Sequence, residues 1–160
     1  SKHLVLQTDF GLQDGAVSTM YGVAYQVSDD IVVSDLTHGI TPFNIFEGSF
    51  RLAQTIKYWR PGTVFVSVVD PGVGSDRLSI VVKLKTGHFV VTPDNGTITH
   101  LAELYGIEFA LSMNPLTDYR VQKSQRRSMV VISTFITERV LRQDKLRSTK
   151  LEISYRSIGW

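Results

Sequence analysis

Three aspartates of the chain each come after an apolar segment with the composition of a buried strand. These segments are Leu4-Val5-Leu6 before Asp9, Ile31-Val32-Val33 before Asp35, and Thr63 to Val69 before Asp70. Parallel strands of an α/β sheet end at a common edge, and polar groups that perform chemistry gather beyond that edge. We therefore expect the three carboxylates to line one sugar-sized crevice, where they could orient water, bind hydroxyl groups or hold a cation.

The segment after Asp70 can bring a positive charge back to that carboxylate. One proline and two glycines allow a tight loop, Pro71-Gly72-Val73-Gly74-Ser75-Asp76, which leads to Arg77. An arginine beside a carboxylate lowers the carboxylate pKa and fixes its orientation. The alternative is an ion pair that only fastens the loop, because structural ion pairs also perturb pKa values. Spacing alone leaves both interpretations open.

Asp9 and Asp14 lie five residues apart and predict different roles. Asp14 opens a segment with helical spacing and is expected to be its N-cap, with apolar or small residues at Val17, Met20, Tyr21, Ala24 and Val27. Asp9 would then remain free at the strand end, where a carboxylate can accept two hydrogen bonds from a vicinal diol. Alternatively, both carboxylates brace the turn. Asp35 could serve as Asp9 does, or it could belong to a turn.

Other kinds of site fit the sequence less well. Oxygen ligands from the three aspartates would suit magnesium, but no Asp-x-Asp pair and no helical histidine pair supports a metal site. Gly72-Val73-Gly74 lacks the third glycine of a dinucleotide loop, and no Lys-Ser/Thr phosphate loop is present. The separate histidines are expected to be surface or strand residues and no catalytic set: His38, His88 and His100.

Strands and helices alternate along the chain. The predicted strands are Leu4–Leu6, Ile31–Val33, Thr63–Val69, Ser79–Leu84, His88–Val91 and Ile107–Leu111. A helix capped by Asn44 ends at Pro61-Gly62, and a short helix through Leu101 and Leu104 follows the turn Pro93-Asp94-Asn95-Gly96. Continuous apolar strands alternating with helices predict an α/β fold with a central, mostly parallel sheet and helices on both faces.

The composition is that of one soluble globular domain. The chain has 160 residues, 42% of them hydrophobic and 20% charged, which argues against disorder and against two full domains. No apolar run reaches the ~18 residues of a membrane span, and no signal peptide is visible. The chain has no cysteine, so disulfides, thiolate metal sites and cysteine nucleophiles are excluded. We expect a cytoplasmic protein that does not bind membranes.

Charge and glycine content both change near residue 120. Residues 1–119 carry 7 Lys+Arg against 12 Asp+Glu, whereas residues 120–160 carry 10 against 3. All but one of the 12 glycines precede Arg120. Such a break indicates either a basic tail for an acidic partner or a terminal segment of different origin.

Five motifs in order resemble one family. These are Thr8-Asp9-Phe10-Gly11-Leu12-Gln13-Asp14-Gly15, Asp35-Leu36-Thr37-His38-Gly39-Ile40-Thr41-Pro42, Pro61-Gly62-Thr63-Val64-Phe65, Val68-Val69-Asp70-Pro71-Gly72-Val73-Gly74 and Pro93-Asp94-Asn95-Gly96. Together they are similar to the S-adenosyl-L-methionine (SAM) hydroxide adenosyltransferases, the family that also contains the SAM-dependent fluorinase and chlorinase. The similarity extends from about residue 4 to about residue 119.

The resemblance implies that water or hydroxide displaces methionine from the 5′ carbon of SAM to give adenosine. It implies that Asp70 with Arg77 orients the water and that Asp9 binds the ribose hydroxyls. It also implies that Asp14 binds the methionine ammonium, and that Phe43 and Thr134 contact the substrate. The sulfonium leaves as a neutral thioether, so no metal or other cofactor is expected. In the family the enzyme is a trimer, so a homo-oligomer is expected here.

The chain departs from the family pattern at its end. The family has a histidine after a Ser-Thr-Phe sequence, whereas Ser133-Thr134-Phe135 is followed by Ile136-Thr137-Glu138-Arg139. The C-terminal β-barrel of the family has no counterpart before Trp160. We therefore divide the chain into a SAM-binding-type domain, residues 1–124, and an atypical basic tail, residues 125–160, which a frameshift could have produced.

Two further functions compete with SAM hydrolysis. A truncated or frameshifted member of the family would be catalytically inactive and would bind nucleosides weakly at most. A nucleic-acid binder would use the basic tail, but aromatic residues between its charges are sparse and no sequence-reading motif is present, so no nucleic-acid partner is expected.

Overall fold

The computed structural model describes residues 2–69 and 79–113 of the chain. Within these residues six strands and three helices follow one another, with one 3₁₀ turn at Ile56–Tyr58. The strands are β1 (Lys2–Thr8), β2 (Ile31–Thr37), β3 (Val64–Val68), β4 (Ser79–Leu84), β5 (Phe89–Pro93) and β6 (Ile107–Met113). The helices are α1 (Ala16–Val27), α2 (Ile45–Thr55) and α3 (Thr99–Tyr105).

All six strands form one sheet in the order β2-β1-β3-β5-β4-β6. The four strands from β2 to β5 in this order are parallel to one another, and β4 runs antiparallel to both β5 and β6. The carboxyl ends of β2, β1, β3 and β5 therefore lie along a common edge. This arrangement confirms the predicted α/β fold with a mostly parallel sheet.

Apolar side chains on the two faces of the sheet form two cores. On one face, Leu4 and Leu6 of β1 pack with Met20 and Ala24 of α1. On the other face, the core joins the sheet to α2 and α3 through Val5, Leu52, Ala53, Phe65 and Leu101. Because strand side chains alternate between faces, an apolar strand can fill both cores at once. Helices on both faces, as predicted, are confirmed.

The starts of the two longer helices were predicted with different success. At α2 the side chain of Asn44 accepts a 3.0 Å hydrogen bond from the amide of Glu47, so Asn44 is the N-cap as expected. At α1 the N-cap is Gly15, one residue later than the predicted Asp14. Asp14 still supports the helix, because its Oδ1 accepts a 3.0 Å hydrogen bond from the amide of Ala16.

The second strand is longer than predicted. We expected it to end at Asp35, but β2 continues to Thr37, with Asp35 paired in register opposite Leu6 of β1. The polar sequence from Asp35 onward suggested a turn, yet pairing with β1 keeps this backbone extended. Within the described part of the chain, no helix combines the length and the apolar character needed to cross a bilayer.

Candidate functional site

Asp9 lies at the common carboxyl edge of the sheet. It directly follows β1, and its amide donates a 3.4 Å hydrogen bond to the carbonyl of Val68 at the end of β3. The residue is half-buried, so its carboxylate can meet both protein and solvent. The predicted position of Asp9 beyond the end of a buried strand is therefore confirmed.

Asp9 and Phe43 are brought together by the fold. The Oδ2 of Asp9 accepts a 2.8 Å hydrogen bond from the amide of Phe43, which lies in the loop before α2. Phe43 has a φ of 66°, in the left-handed region, and its side chain is 61% exposed. A carboxylate offers about four acceptor positions, so one amide leaves capacity for two hydroxyl groups. The site thus pairs hydrogen-bond acceptors with an exposed aromatic ring.

Asp14 is exposed at the start of α1, and its Oδ1 is engaged by the amide of Ala16. This bond is the local brace that the sequence left open as an alternative role. The second oxygen of the carboxylate retains its acceptor capacity. Asp14 can therefore support the helix and still meet a cationic group.

Asp35 belongs to a hydrogen-bonded network on the α1 side of the sheet. Its Oδ1 lies 2.6 Å from Nε2 of His38, and the carboxylate also acts on the hydroxyl of Tyr21 in α1. Burial is the main cause that raises the pKa of Tyr21 to about 12, and the hydrogen bond to Asp35 and the charge of Asp35 add to it. Asp35 is thus engaged by the His38 side chain, whereas the partner of Asp9 is a backbone amide, so Asp35 is not the free carboxylate that the sequence predicted.

The histidines are more involved in packing than the sequence predicted. His38 is buried, and its Nδ1 lies 2.7 Å from the hydroxyl of Thr8 at the end of β1. His88 is also buried and contacts the carbonyl of Trp59 through Nε2. His100 lies in α3, where Nδ1 is 2.7 Å from the hydroxyl of Ser49. The prediction of surface or strand residues is therefore wrong for His38 and His88, which are buried outside the strands, whereas His100 is half-buried in α3.

The carboxyl end of β3 is held from two sides. The side-chain amide of Asn95 donates a 2.8 Å hydrogen bond to the carbonyl of Val69. From α2, Gly48 approaches so closely that an added Cβ would lie 3.3 Å from a methyl group of Val69. Gln7 ties the same helix to the sheet, because its Nε2 donates to the Gly48 carbonyl and to the Ser67 hydroxyl. The sequence indicated only a turn at Asn95, so this bracing function was missed.

Several predicted residues lie outside the described part of the chain. These are Asp70, Arg77 and Thr134, together with the basic tail, residues 125–160. Among residues 2–69 and 79–113, no three His, Asp or Glu side chains gather in a group that could hold a metal ion.

The family and curated relatives of the chain agree with the resemblance seen in its motifs. The model of the SAM hydroxide adenosyltransferase N-terminal domain matches residues 4–140. The (R)-S-adenosyl-L-methionine hydrolase of Methanocaldococcus jannaschii is 42% identical over 109 residues, which are 66% of this chain and 41% of that protein. The enzyme of the same name from Salinispora arenicola is 40% identical, over 68% of this chain and 41% of its own length. The chain thus spans about two fifths of these relatives.

More distant similarity extends to halogenating enzymes and to solved structures. A fluorinase from Actinopolyspora mzabensis is 27% identical over 51% of this chain and 27% of its own length. The crystal structure of an uncharacterized conserved protein from Thermotoga maritima superposes with a TM-score of 0.73 and 28% identity, over 84% of this chain and 54% of that one. Because the family model matches residues 4–140, which are most of the chain, the chain belongs to the SAM hydroxide adenosyltransferase N-terminal domain family.

Proposed function

We propose that the chain supplies the N-terminal part of a SAM hydrolase that forms adenosine. Water attacks the 5′ carbon of SAM, the bond from that carbon to sulfur breaks, and the electron pair leaves with methionine. The water loses one proton to solvent, and the products are adenosine and methionine. The proposal is supported by the relatives that are 42% and 40% identical, both named (R)-S-adenosyl-L-methionine hydrolase.

The hydrogen bond between Asp9 and Phe43 is the observation that carries this proposal. The Phe43 amide holds one oxygen of the Asp9 carboxylate at 2.8 Å, and the other oxygen has no partner among the described residues. A fixed carboxylate with free acceptor capacity suits the two hydroxyl groups of a ribose. The exposed ring of Phe43 offers an adjoining apolar surface for the nucleoside.

Asp70 and Arg77 would act on the water in this proposal. Hydrolysis of a sulfonium requires an aligned and partly desolvated nucleophile, since the thioether leaves without protonation. Asp70 is covalently next to Val69, whose carbonyl is fixed by Asn95. Asp70 would orient the water, with Arg77 holding the carboxylate. Asp14 would bind the methionine ammonium, and Thr134 would contact the substrate.

The proposal includes the cellular setting and the assembly of the protein. It places a homo-oligomer, a trimer as in the family, in the cytoplasm. The substrate is SAM alone, with no metal or organic cofactor, because a neutral thioether needs no Lewis acid to depart. Light scattering on the purified chain measures the assembly, and a monomeric mass would contradict this part of the proposal.

The decisive experiment incubates the chain with SAM and measures adenosine and methionine by chromatography. Asp70→Ala should lower kcat by about 10²-fold or more, the loss typical of a nucleophile that is no longer held in line. Asp9→Asn should instead raise KM by about tenfold or more, because it weakens charge-assisted hydrogen bonds to the ribose. Glu108→Gln is the matched control, since Glu108 is an exposed carboxylate on β6, at the opposite end of the sheet from β2 and β1, where it pairs with Lys83 of β4. Equal rates for Asp70→Ala and the unaltered chain would refute the proposal.

A catalytically inactive family member is the second candidate. The sequence Ile136-Thr137-Glu138-Arg139 stands where the family has its histidine, and this departure favours the candidate. Calorimetric titration with adenosine separates the two functions. Binding of adenosine that Asp9→Asn weakens, without any turnover of SAM, would establish the inactive form.

A further inference from the structure

A line of hydrogen-bonded side chains joins β2 to the end of β1. It runs from the carboxylate of Asp35 to Nε2 of His38 at 2.6 Å, and from Nδ1 of His38 to the Thr8 hydroxyl at 2.7 Å. A carboxylate only accepts hydrogen bonds, so Nε2 carries the proton that faces Asp35. With a neutral imidazole, Nδ1 then accepts from the hydroxyl of Thr8.

This Asp–His–Thr arrangement has the order of a nucleophilic triad but not its access to substrate. Thr8 is completely buried, and its hydroxyl oxygen also accepts a 3.2 Å hydrogen bond from the amide of Phe10. A nucleophile must approach within about 3–3.5 Å of the reacting atom, which burial of Thr8 prevents. The hydrogen-bonded side chains therefore hold in place the backbone that they contact.

That backbone is the segment that carries Asp9. Thr8 precedes Asp9 and bonds the amide of Phe10, which follows it. The carbonyl of His38 also accepts a 2.9 Å hydrogen bond from the amide of Gly11. His38 thus contacts the segment through both its ring and its backbone, on either side of Asp9.

We propose that His38 is a positioning residue, which sets the place of the Asp9 carboxylate through Thr8 and the backbone of Phe10 and Gly11. The consequence for ligand binding rests on the proposed function, in which Asp9 binds the ribose. The consequence for the backbone does not, because it concerns contacts within the protein alone. The two consequences can therefore be tested separately.

The first test is amide hydrogen exchange followed by NMR in Thr8→Val and Thr8→Ser. Valine keeps the volume and branching of threonine but removes the hydroxyl, whereas serine keeps the hydroxyl. Thr8→Val removes the hydrogen bond between Thr8 and His38, which is worth about 1 kcal/mol. The His38 carbonyl then holds the Gly11 amide less firmly, so this amide should exchange about fivefold to tenfold faster. Thr8→Ser should stay near the original rate. Thr92→Val is the matched control, because Thr92 is equally buried and its hydroxyl has no hydrogen-bond partner among the described residues.

The second test replaces the ring of His38. A glutamine amide can donate to Asp35 and accept from Thr8 but cannot gain a charge, whereas phenylalanine can do neither. We expect His38→Gln to keep the slow exchange of Gly11 and His38→Phe to lose it. The amide of Leu52, inside α2, reports any change in global stability. Acceleration of Gly11 that does not exceed that of Leu52 would overturn the positioning role.

Adenosine titration completes the experiment. Thr8→Val and His38→Phe should weaken adenosine binding by about tenfold. Thr8→Ser and His38→Gln should bind adenosine about as tightly as the unaltered chain. In turnover of SAM, Thr8→Val and His38→Phe should raise KM and leave kcat unchanged, as expected for a group that acts through binding alone. If the unaltered chain binds no adenosine, the proposed function fails, and the exchange of Gly11 still decides whether His38 positions the segment.

Discussion

The carboxylate of Asp9 and the backbone amide of Phe43 are joined by a 2.8 Å hydrogen bond across 34 residues of sequence. Phe43 is the only non-glycine residue with positive φ in the described ranges, 2–69 and 79–113. This conformation costs about 1–2 kcal/mol for a residue with a Cβ. The fold therefore holds the loop before α2 in a strained conformation at the point where its amide meets the candidate site.

Relief of this strain should raise the free energy of unfolding. Asparagine tolerates the left-handed region and valine does not, so Phe43→Asn should be about 1 kcal/mol or more stable than Phe43→Val. Both variants lose little burial, because the Phe43 side chain is 61% exposed. Urea unfolding of the two variants gives the difference directly. Equal midpoints with equal m-values would show that no strain resides at this position.

Local sequence patterns were sufficient to predict most elements of the fold. The strand Ser79–Leu84 has the predicted bounds because its apolar run is terminated by the turn Lys85-Thr86-Gly87. The N-cap at Asn44 was predictable because capping depends on residues within one helical turn. In each case the determining interactions lie close together in the sequence.

Contacts between distant segments explain what the sequence could not predict. Asp35 lies inside β2 because β1 pairs with it, a contact that its own neighbours do not encode. The bond from Asp9 to Phe43, and the contact of His38 with Thr8, likewise depend on how three segments meet at the sheet edge. Strand-end position predicted Asp9, and only the family resemblance suggested Phe43.

Removal of the α2 cap should destabilise the protein by a known mechanism. Asn44→Ala leaves the Glu47 amide without its 3.0 Å acceptor and should cost about 1 kcal/mol in the free energy of unfolding. Asn44→Asp keeps an oxygen at the same place and is the control. Thermal or urea unfolding measures both variants. A loss in Asn44→Asp as large as that in Asn44→Ala would show that the cap oxygen is not the cause.

Two helical glycines should respond differently to alanine. Around Gly22 of α1 an added Cβ meets no atom of residues 2–69 or 79–113 within 4 Å, so Gly22→Ala should stabilise the protein by about 0.5–1 kcal/mol. At Gly48 of α2 the same Cβ would lie 3.3 Å from Val69 and 3.5 Å from Gln7. Gly48→Ala should therefore gain less or lose stability, since the end of β3 must move to admit the methyl group.

The activity of these glycine variants provides a second measurement. An added Cβ at Gly48 would press on Val69, which directly precedes Asp70 in the sequence, whereas an added Cβ at Gly22 meets no atom of the described residues within 4 Å. We expect Gly48→Ala to lower the rate of SAM hydrolysis and Gly22→Ala to leave it unchanged. Equal rates in both variants would show that the close approach of α2 has no influence on the catalytic segment.

The raised pKa of Tyr21 should appear as a pH dependence of stability. Burial and the contact with Asp35 raise the pKa of Tyr21 from 10.0 to about 12. Between these values the unfolded chain loses the proton while the folded chain keeps it, so the free energy of unfolding falls as the pH rises. The contribution of Tyr21 is fully present below pH 10.0 and is lost as the pH approaches about 12.

Comparison with Tyr21→Phe isolates this contribution from other groups that titrate in the same range. The unaltered protein should be more stable than Tyr21→Phe at about pH 9. This gap, the difference between their free energies of unfolding, should narrow by less than about 1.4 kcal/mol for each pH unit above 10. Tyr58→Phe is the control, since the Tyr58 side chain is 80% exposed. Urea unfolding at several pH values measures the gap. A gap that stays constant from about pH 9 to about pH 11.5 would mean that Tyr21 does not retain its proton against Asp35.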